Sequence, residues 1–154
     1  AGLEVAHYET TAREFLTHYP DLEAEHNQII AEVMKLLAKP DLQMLFGPQS
    51  RAEVPIGGRV LMPGGDNQLF SGRIDRYVDL PEAILIADYK TTRHPPSADD
   101  PIDADIAIQL EIYRKLVSAA YPGKEVRCAI VWTAGPQYRL VTPEELDEAW
   151  QKLK

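Results

Sequence analysis

The chain is poor in several features that mark common classes of protein. Its 154 residues include one cysteine, Cys128, which excludes a disulfide framework, a zinc ribbon and a four-cysteine iron–sulfur site. The longest apolar runs, at 83–87 and 128–132, are far shorter than a membrane span. Basic residues are scarce, with 16 Lys and Arg against 24 Asp and Glu and a net charge of −8. That balance excludes a basic protein that coats nucleic acid and a polybasic membrane anchor.

What the chain does contain is typical of one folded domain, at 45% hydrophobic and 26% charged residues. We expect residues 1–48 to form a helical N-terminal part and residues 50–141 a sheet core with a helix at 104–121. Residues 143–154 are expected to form a C-terminal helix. Since the first residue is Ala1 rather than Met, we expect a piece of a longer protein. The single cysteine favours a reducing, cytoplasmic setting.

Turn signals divide the core into strands. Segments 52–56 and 60–62 indicate a strand in which Pro55 favours an edge position or a strand end, and Pro63–Asp66 indicates a turn. The alternation in 69–78 predicts two faces, one with Phe70, Ile74 and Val78 and the other with Ser71, Arg73, Asp75 and Tyr77. Segment 83–91, apolar on both sides, predicts a central strand that forms a hairpin with 69–78. In the N-terminal part, Asp21 is the predicted N-cap of the second helix. The order of elements predicts an α/β fold (mixed α+β) with a central mixed sheet flanked by helices.

Polar side chains at the end of the predicted central strand are the first chemical signal. Asp88 and Lys90 point the same way as the apolar residues before them, and an ionised group there is costly unless it is paired or metal-bound. The hairpin can bring Asp75 within reach of Asp88, and a divalent cation would relieve the repulsion between the two carboxylates. Glu53 is a third candidate carboxylate. Oxygen ligands without a cysteine or histidine cluster favour Mg²⁺ or Mn²⁺ over zinc.

The alternative is a plain salt bridge in which Lys90 neutralises Asp88 or Asp75. Three features favour chemistry instead. Asp75 and Asp88 are expected on adjacent strands, and Asp88–Thr91 ends a strand, where open sheets bind their ligands. Gln109 and Tyr113, four residues apart on one helix, put two polar tips on an otherwise apolar face.

The ordered set Gly72-x-x-Asp75, Asp88-Tyr89-Lys90-Thr91 and Gln109-Leu110-x-x-Tyr113 resembles the RecB-type nuclease signature of the PD-(D/E)XK superfamily. The flanking text at 51–56 and 71–76 is similar to the C-terminal nuclease domain of AddA-type helicase–nucleases, most of all the alphaproteobacterial ones. The resemblance implies a restriction-endonuclease-like fold. It also implies a Mg²⁺-dependent DNA exonuclease, in which Mn²⁺ can substitute, that processes double-strand break ends in the bacterial cytoplasm during recombinational repair.

The resemblance also implies a role for each matching position. Asp75, Asp88 and the backbone carbonyl of Tyr89 would hold the metal, and Lys90 would position or activate the attacking water. The remaining roles are shaping the site and contacting DNA (Gln109, Tyr113) and electrostatic support (Glu53). The implied partners are DNA as single strands or duplex ends, ATP-binding helicase domains of the same chain and a second, AddB-like subunit, with no membrane.

Other assignments stay open at this point. Arg73, Arg76 and Arg93 are candidate phosphate contacts, and the alternative for each is solvated surface charge. A histidine that the family carries upstream is expected before Ala1. A catalytically inactive nuclease fold that binds DNA ends or a partner subunit is the rival hypothesis. A nuclease of the CRISPR-associated type is disfavoured because one cysteine cannot build the cluster those usually contain.

Overall fold

The structure, a computed structural model, describes residues 2–92, 97 and 100–153, with side chains from residue 7 onward. The helices and strands are α1 (Gly2–Leu16), a first 3₁₀ helix (Pro20–Glu25), α2 (His26–Leu37), a second 3₁₀ helix (Pro40–Phe46), β1 (Ser50–Leu61), β2 (Asn67–Asp79), β3 (Ala83–Lys90), α3 (Ala104–Ala120), β4 (Glu125–Trp132), β5 (Gln137–Val141) and α4 (Pro143–Gln151). Within the described part of the chain, no helix is both long and apolar enough to cross a bilayer.

The five strands form one mixed sheet in the order β1-β2-β3-β4-β5. β3 and β4 are parallel and joined through α3, and the other neighbours are antiparallel. The sheet is flanked by helices, so the predicted mixed α+β architecture is confirmed and agrees with a restriction-endonuclease-like fold. β1 is an edge strand, which is one of the two alternatives that Pro55 favoured, since proline lacks the N–H that a central strand would use.

Each face of the sheet covers its own core. Ile84 and Ile86 of β3 pack with Leu110 of α3 and Leu146 of α4 on one face. On the other face, Leu85 and Ala87 pack with residues of α2 and of the second 3₁₀ helix. β3 is therefore buried on both sides, which confirms the central strand predicted from its unbroken apolar run.

The turns and caps follow local chemistry. In the turn after β1, Gly65 adopts φ +90°, which glycine tolerates, and its N–H donates to the Met62 carbonyl at 2.9 Å. α4 begins with a capping box, in which Thr142 Oγ1 accepts from the Glu145 N–H and Glu145 accepts from the Thr142 N–H. The turn was predicted from its residue types.

Two local predictions were wrong. Asp21 caps no α-helix, because Pro20 opens a 3₁₀ helix there and α2 begins five residues later at His26. On β2, Tyr77 packs with Ile74 in the core under α3, while Val78 belongs to the opposite core. The alternation of β2 therefore changes phase between residues 74 and 77. This change coincides with an irregular stretch of the sheet, where Glu53 of β1 has φ +56° and is absent from the register of paired residues.

A buried carboxylate that sequence reasoning missed ties α3 to α4. Glu111 is fully buried, and both its oxygens bond the Arg114 guanidinium at 2.6 and 2.9 Å. Lys115 Nζ lies 3.1 Å from Glu111 Oε1, and Arg114 continues to Asp147 of α4 at 3.0 Å. The acidic residue followed by basic residues at i+3 and i+4 is visible in the sequence, but the contact with Asp147 of α4 depends on how the two helices pack.

Candidate active site

The site forms where β2 and β3 separate. Their ladder ends at the pair Arg76–Ala87, and Asp75 is the next residue of β2. The Tyr89 N–H donates to Asp75 Oδ2 at 2.8 Å, so a carboxylate accepts a bond that a regular ladder would give to a backbone carbonyl. The Asp75 side chain is thereby fixed beside the end of β3.

Asp88 and Lys90 complete the centre from β3 itself. Lys90 Nζ lies 2.8 Å from Asp88 Oδ2, with the Asp88 side chain only 12% exposed. The pair lacks the angles of a hydrogen bond, and this buried Oδ2 accepts none from the described residues. Burial raises the pKa of Asp88, the pairing with Lys90 lowers that pKa, and the nearby charge of Asp75 raises it. The charge of Asp75 therefore reaches Asp88 across the separated strands.

The backbone of Tyr89 turns toward the same gap. The Thr133 N–H donates to the Lys90 carbonyl at 2.9 Å, so Lys90 directs its backbone polar groups toward β4. Since neighbouring residues of a strand direct these groups to opposite edges, those of Tyr89 point toward β2. Its N–H meets Asp75, and its carbonyl lies on that same edge, past the last β2–β3 pair.

The oxygen atoms of Asp75, Asp88 and the Tyr89 carbonyl fit a hard divalent cation. Two carboxylates, one of them with a buried oxygen that contacts the Lys90 ammonium, and a backbone carbonyl supply oxygen ligands only. No group of three or more His, Cys, Asp or Glu residues able to hold a metal occurs within residues 2–92, 97 and 100–153. Mg²⁺ is commonly held by one or two carboxylates together with water and substrate oxygens, whereas zinc prefers nitrogen and sulfur ligands.

Glu53, the third candidate carboxylate, lies on β1 at the level of Asp75, between the pairs Ala52–Arg76 and Val54–Ile74. Its side chain is 60% exposed and pairs with Arg73 Nη1 at 3.1 Å. An exposed pair of this kind contributes little stability. Glu53 thus borders the site with its charge already balanced by an arginine.

Gln109 and Tyr113 lie on α3 and reach β2. Gln109 Nε2 donates to Tyr113 Oη at 3.4 Å, and the same Oη accepts from the Arg73 N–H at 3.3 Å. Gly72 makes this approach possible, because a Cβ there would lie 2.5 Å from Tyr113 Oη. The glycine of the Gly72-x-x-Asp75 motif is therefore needed for the contact between α3 and β2. Gln109 and Tyr113 also line a cavity of about 250 Å³ with Phe70 and Ser71.

The three candidate phosphate contacts have different surroundings. Arg73 is two-thirds exposed and holds Glu53. Arg76 is half-buried, and its Nε donates to Tyr89 Oη at 3.2 Å. Arg93 lies outside the described residues.

Cys128 is a buried core thiol whose pKa is raised to about 12 by burial, as expected for an unreactive position.

Comparison with known proteins places the chain in a family. One solved structure, "Crystal structure of SSO0001", is similar at a TM-score of 0.42 and 14% identity. The match covers 90% of this chain and 66% of that one, so the chain spans less than two thirds of that protein's length. No curated protein matches the sequence. The model of the PD-(D/E)XK nuclease superfamily matches residues 4–153, almost the whole length. The chain belongs to the PD-(D/E)XK nuclease superfamily.

Proposed function

We propose that the chain is a Mg²⁺-dependent deoxyribonuclease that hydrolyses phosphodiester bonds at the ends of DNA. One observation carries the proposal. Asp75 accepts the Tyr89 N–H at the end of β3, and the neighbouring residue Asp88 carries a buried Oδ2 that the Lys90 ammonium contacts at 2.8 Å. Members of this superfamily typically use divalent metal ions, and the oxygen-only donor set supports Mg²⁺, with Mn²⁺ able to substitute.

The chemistry follows from charge. A phosphodiester is anionic and repels nucleophiles, and the two carboxylates alone would repel it further. A divalent cation held by Asp75, Asp88 and the Tyr89 carbonyl would screen that charge and lower the pKa of a bound water. Lys90 contributes a positive donor beside the scissile phosphate. In a site shielded from water, this donor stabilises the charge that develops as the bond breaks.

We assign DNA contact to the side of the site where α3 meets β2. Gln109 and Tyr113 project from α3 next to Gly72, and Arg73 lies exposed beside them. With a net charge of −8, the chain has few lysine and arginine residues available to contact the DNA backbone. This shortage supports a setting in which other domains hold the DNA.

The finer proposal is that this chain is the exonuclease part of an AddA-type, ATP-dependent helicase–nuclease. It would process double-strand break ends for recombinational repair in the bacterial cytoplasm, with helicase domains in the same chain and an AddB-like second subunit. The motif set at Gly72–Asp75, Asp88–Thr91 and Gln109–Tyr113 supports a RecB-type nuclease, and the flanking text at 51–56 and 71–76 supports the AddA subtype. The rival is an inactive scaffold that binds DNA ends or a partner subunit, and the presence of Asp75, Asp88 and Lys90 together speaks against it.

Cleavage of end-labelled DNA tests the proposal. We expect the chain to degrade single-stranded or duplex-end substrates with Mg²⁺ or Mn²⁺ and to stop when EDTA is added. Asp75→Asn and Asp88→Asn should each lower the rate by about 10²-fold or more, since each removes a charged ligand. Glu148→Gln, a change at an exposed residue of α4, should leave the rate unaltered. DNA binding without cleavage would favour the inactive scaffold, and undiminished cutting by both variants would reject the site.

A further inference from the structure

Arg76, on β2 next to Asp75, contacts three side chains of the protein. Its Nε donates to Tyr89 Oη at 3.2 Å and its Nη1 to Ser50 Oγ at 3.4 Å. The guanidinium also lies over the Phe46 ring at 5.1 Å from the centroid. Ser50 is itself fixed, because its hydroxyl donates to the Leu45 carbonyl at 2.5 Å. The second 3₁₀ helix and the start of β1 thus hold Arg76 in place.

Tyr89 is consequently held at both ends by consecutive residues of β2. Its backbone N–H donates to Asp75 Oδ2, and its phenol accepts from Arg76. Its ring packs on the core formed with Leu45 and Val131. Neither the peptide at Tyr89 nor the carboxylate of Asp75 can rotate without loss of one of these contacts.

We propose that Arg76 is a positioning residue for the metal site: through Tyr89 it fixes the carbonyl that, with Asp75 and Asp88, faces the cation. The inference rests on the proposed function and gives Arg76 a role other than contact with phosphate. A half-buried guanidinium with three protein partners would have to leave all of them to reach DNA, whereas Arg73 is exposed. Residues behind metal ligands commonly change metal affinity by about 10-fold to 100-fold.

Substitutions at Arg76 separate the two roles. Arg76→Lys keeps the charge but lacks the planar fork that serves Tyr89 and Ser50 together and stacks on Phe46. We expect Arg76→Lys, Arg76→Gln and Tyr89→Phe each to weaken Mn²⁺ binding about 10-fold or more, as measured by electron paramagnetic resonance of free Mn²⁺. The kcat of cleavage should fall at saturating DNA. Binding of DNA in EDTA should be unchanged.

The double variant adds a check that a merely structural role would not satisfy. Since Arg76 acts through the Tyr89 phenol, Arg76→Gln combined with Tyr89→Phe should weaken Mn²⁺ binding no more than either change alone. Arg59→Gln, at an exposed arginine of β1, is the matched control and should alter neither Mn²⁺ nor DNA binding. Tyr89→Phe keeps the ring and the backbone, so it reports on the phenol even if a variant at Arg76 fails to fold.

Two results would overturn the inference. One is Mn²⁺ affinity equal to wild type in Tyr89→Phe. The other is weaker DNA binding in EDTA that Arg76→Lys restores, which would mark a phosphate contact. Either result leaves the proposed function standing, provided the wild-type chain binds Mn²⁺ and cuts DNA. A wild-type chain without Mn²⁺ binding would reject both.

Discussion

Lys90→Met is expected to lower DNA cleavage by about 10²-fold to 10⁴-fold, the range seen when a positioned proton-transfer or charge-stabilising group is lost. The ammonium lies 2.8 Å from Asp88 Oδ2 at the end of a buried strand, and Met matches its length without its charge. Since Lys90 is a cation next to the ligands, its loss should leave Mn²⁺ affinity intact or raise it. Cleavage under single-turnover conditions, with Mn²⁺ titrations alongside, measures both effects.

The control for this variant is Lys152→Met on α4, where the lysine is 72% exposed and pairs with Glu148. Its cleavage rate should equal that of wild type. If Lys90→Met cuts DNA within a few-fold of wild type while still folded, Lys90 serves only as the salt-bridge partner of Asp88. That outcome would favour the alternative in which Asp88 and Lys90 form a plain salt bridge.

Glu111→Ala is expected to have the largest effect on stability, a loss of about 3 kcal/mol in the free energy of unfolding. The side chain is wholly buried and bonds both Arg114 and Lys115, so its removal leaves two cations next to an apolar core and a cavity as well. Arg114 keeps Asp147 and partial access to water, which holds the loss to the lower end of the usual range for broken buried pairs. Urea denaturation followed by circular dichroism measures it.

Glu148→Ala provides the comparison, since that glutamate forms an exposed i,i+4 pair with Lys152 and should change stability by less than about 0.5 kcal/mol. Similar unfolding midpoints for both variants would mean that the buried cluster between α3 and α4 adds no net stability. The m-value must stay constant for the comparison to hold.

The sequence predicted the central strand, and marked Asp88 and Lys90 as candidates, for the same physical reason. Asp88 and Lys90 interrupt a strand that is otherwise apolar on both sides. Burying charged groups there costs free energy unless they are paired or bound to a metal. Gln109 and Tyr113 follow from helical spacing alone. Local periodicity is sufficient in these cases because the relevant neighbours lie within one element or one hairpin.

What the sequence could not predict depends on packing between distant segments. Tyr77 changes face because the alternation of β2 is interrupted near Glu53 of β1, which no two-residue period reveals. The buried cluster of Glu111 and Arg114 reaches α4 through Asp147, which lies 33 residues after Arg114. Arg76 contacts Ser50, 26 residues before it, and Phe46 in the preceding 3₁₀ helix. Each of these contacts joins residues that the sequence keeps far apart.

Titration of the chain with Mn²⁺ at several pH values tests the central claim most directly, namely that Asp75 and Asp88 together hold one divalent cation. The wild-type chain should bind one Mn²⁺, and Asp75→Asn and Asp88→Asn should each weaken binding by at least about 10-fold. Because burial raises the pKa of Asp88 and the cation requires its ionised form, affinity should fall as the pH is lowered, starting above the range where an ordinary aspartate takes up its proton. Mn²⁺ binding that is absent, or that neither substitution weakens, would contradict the account.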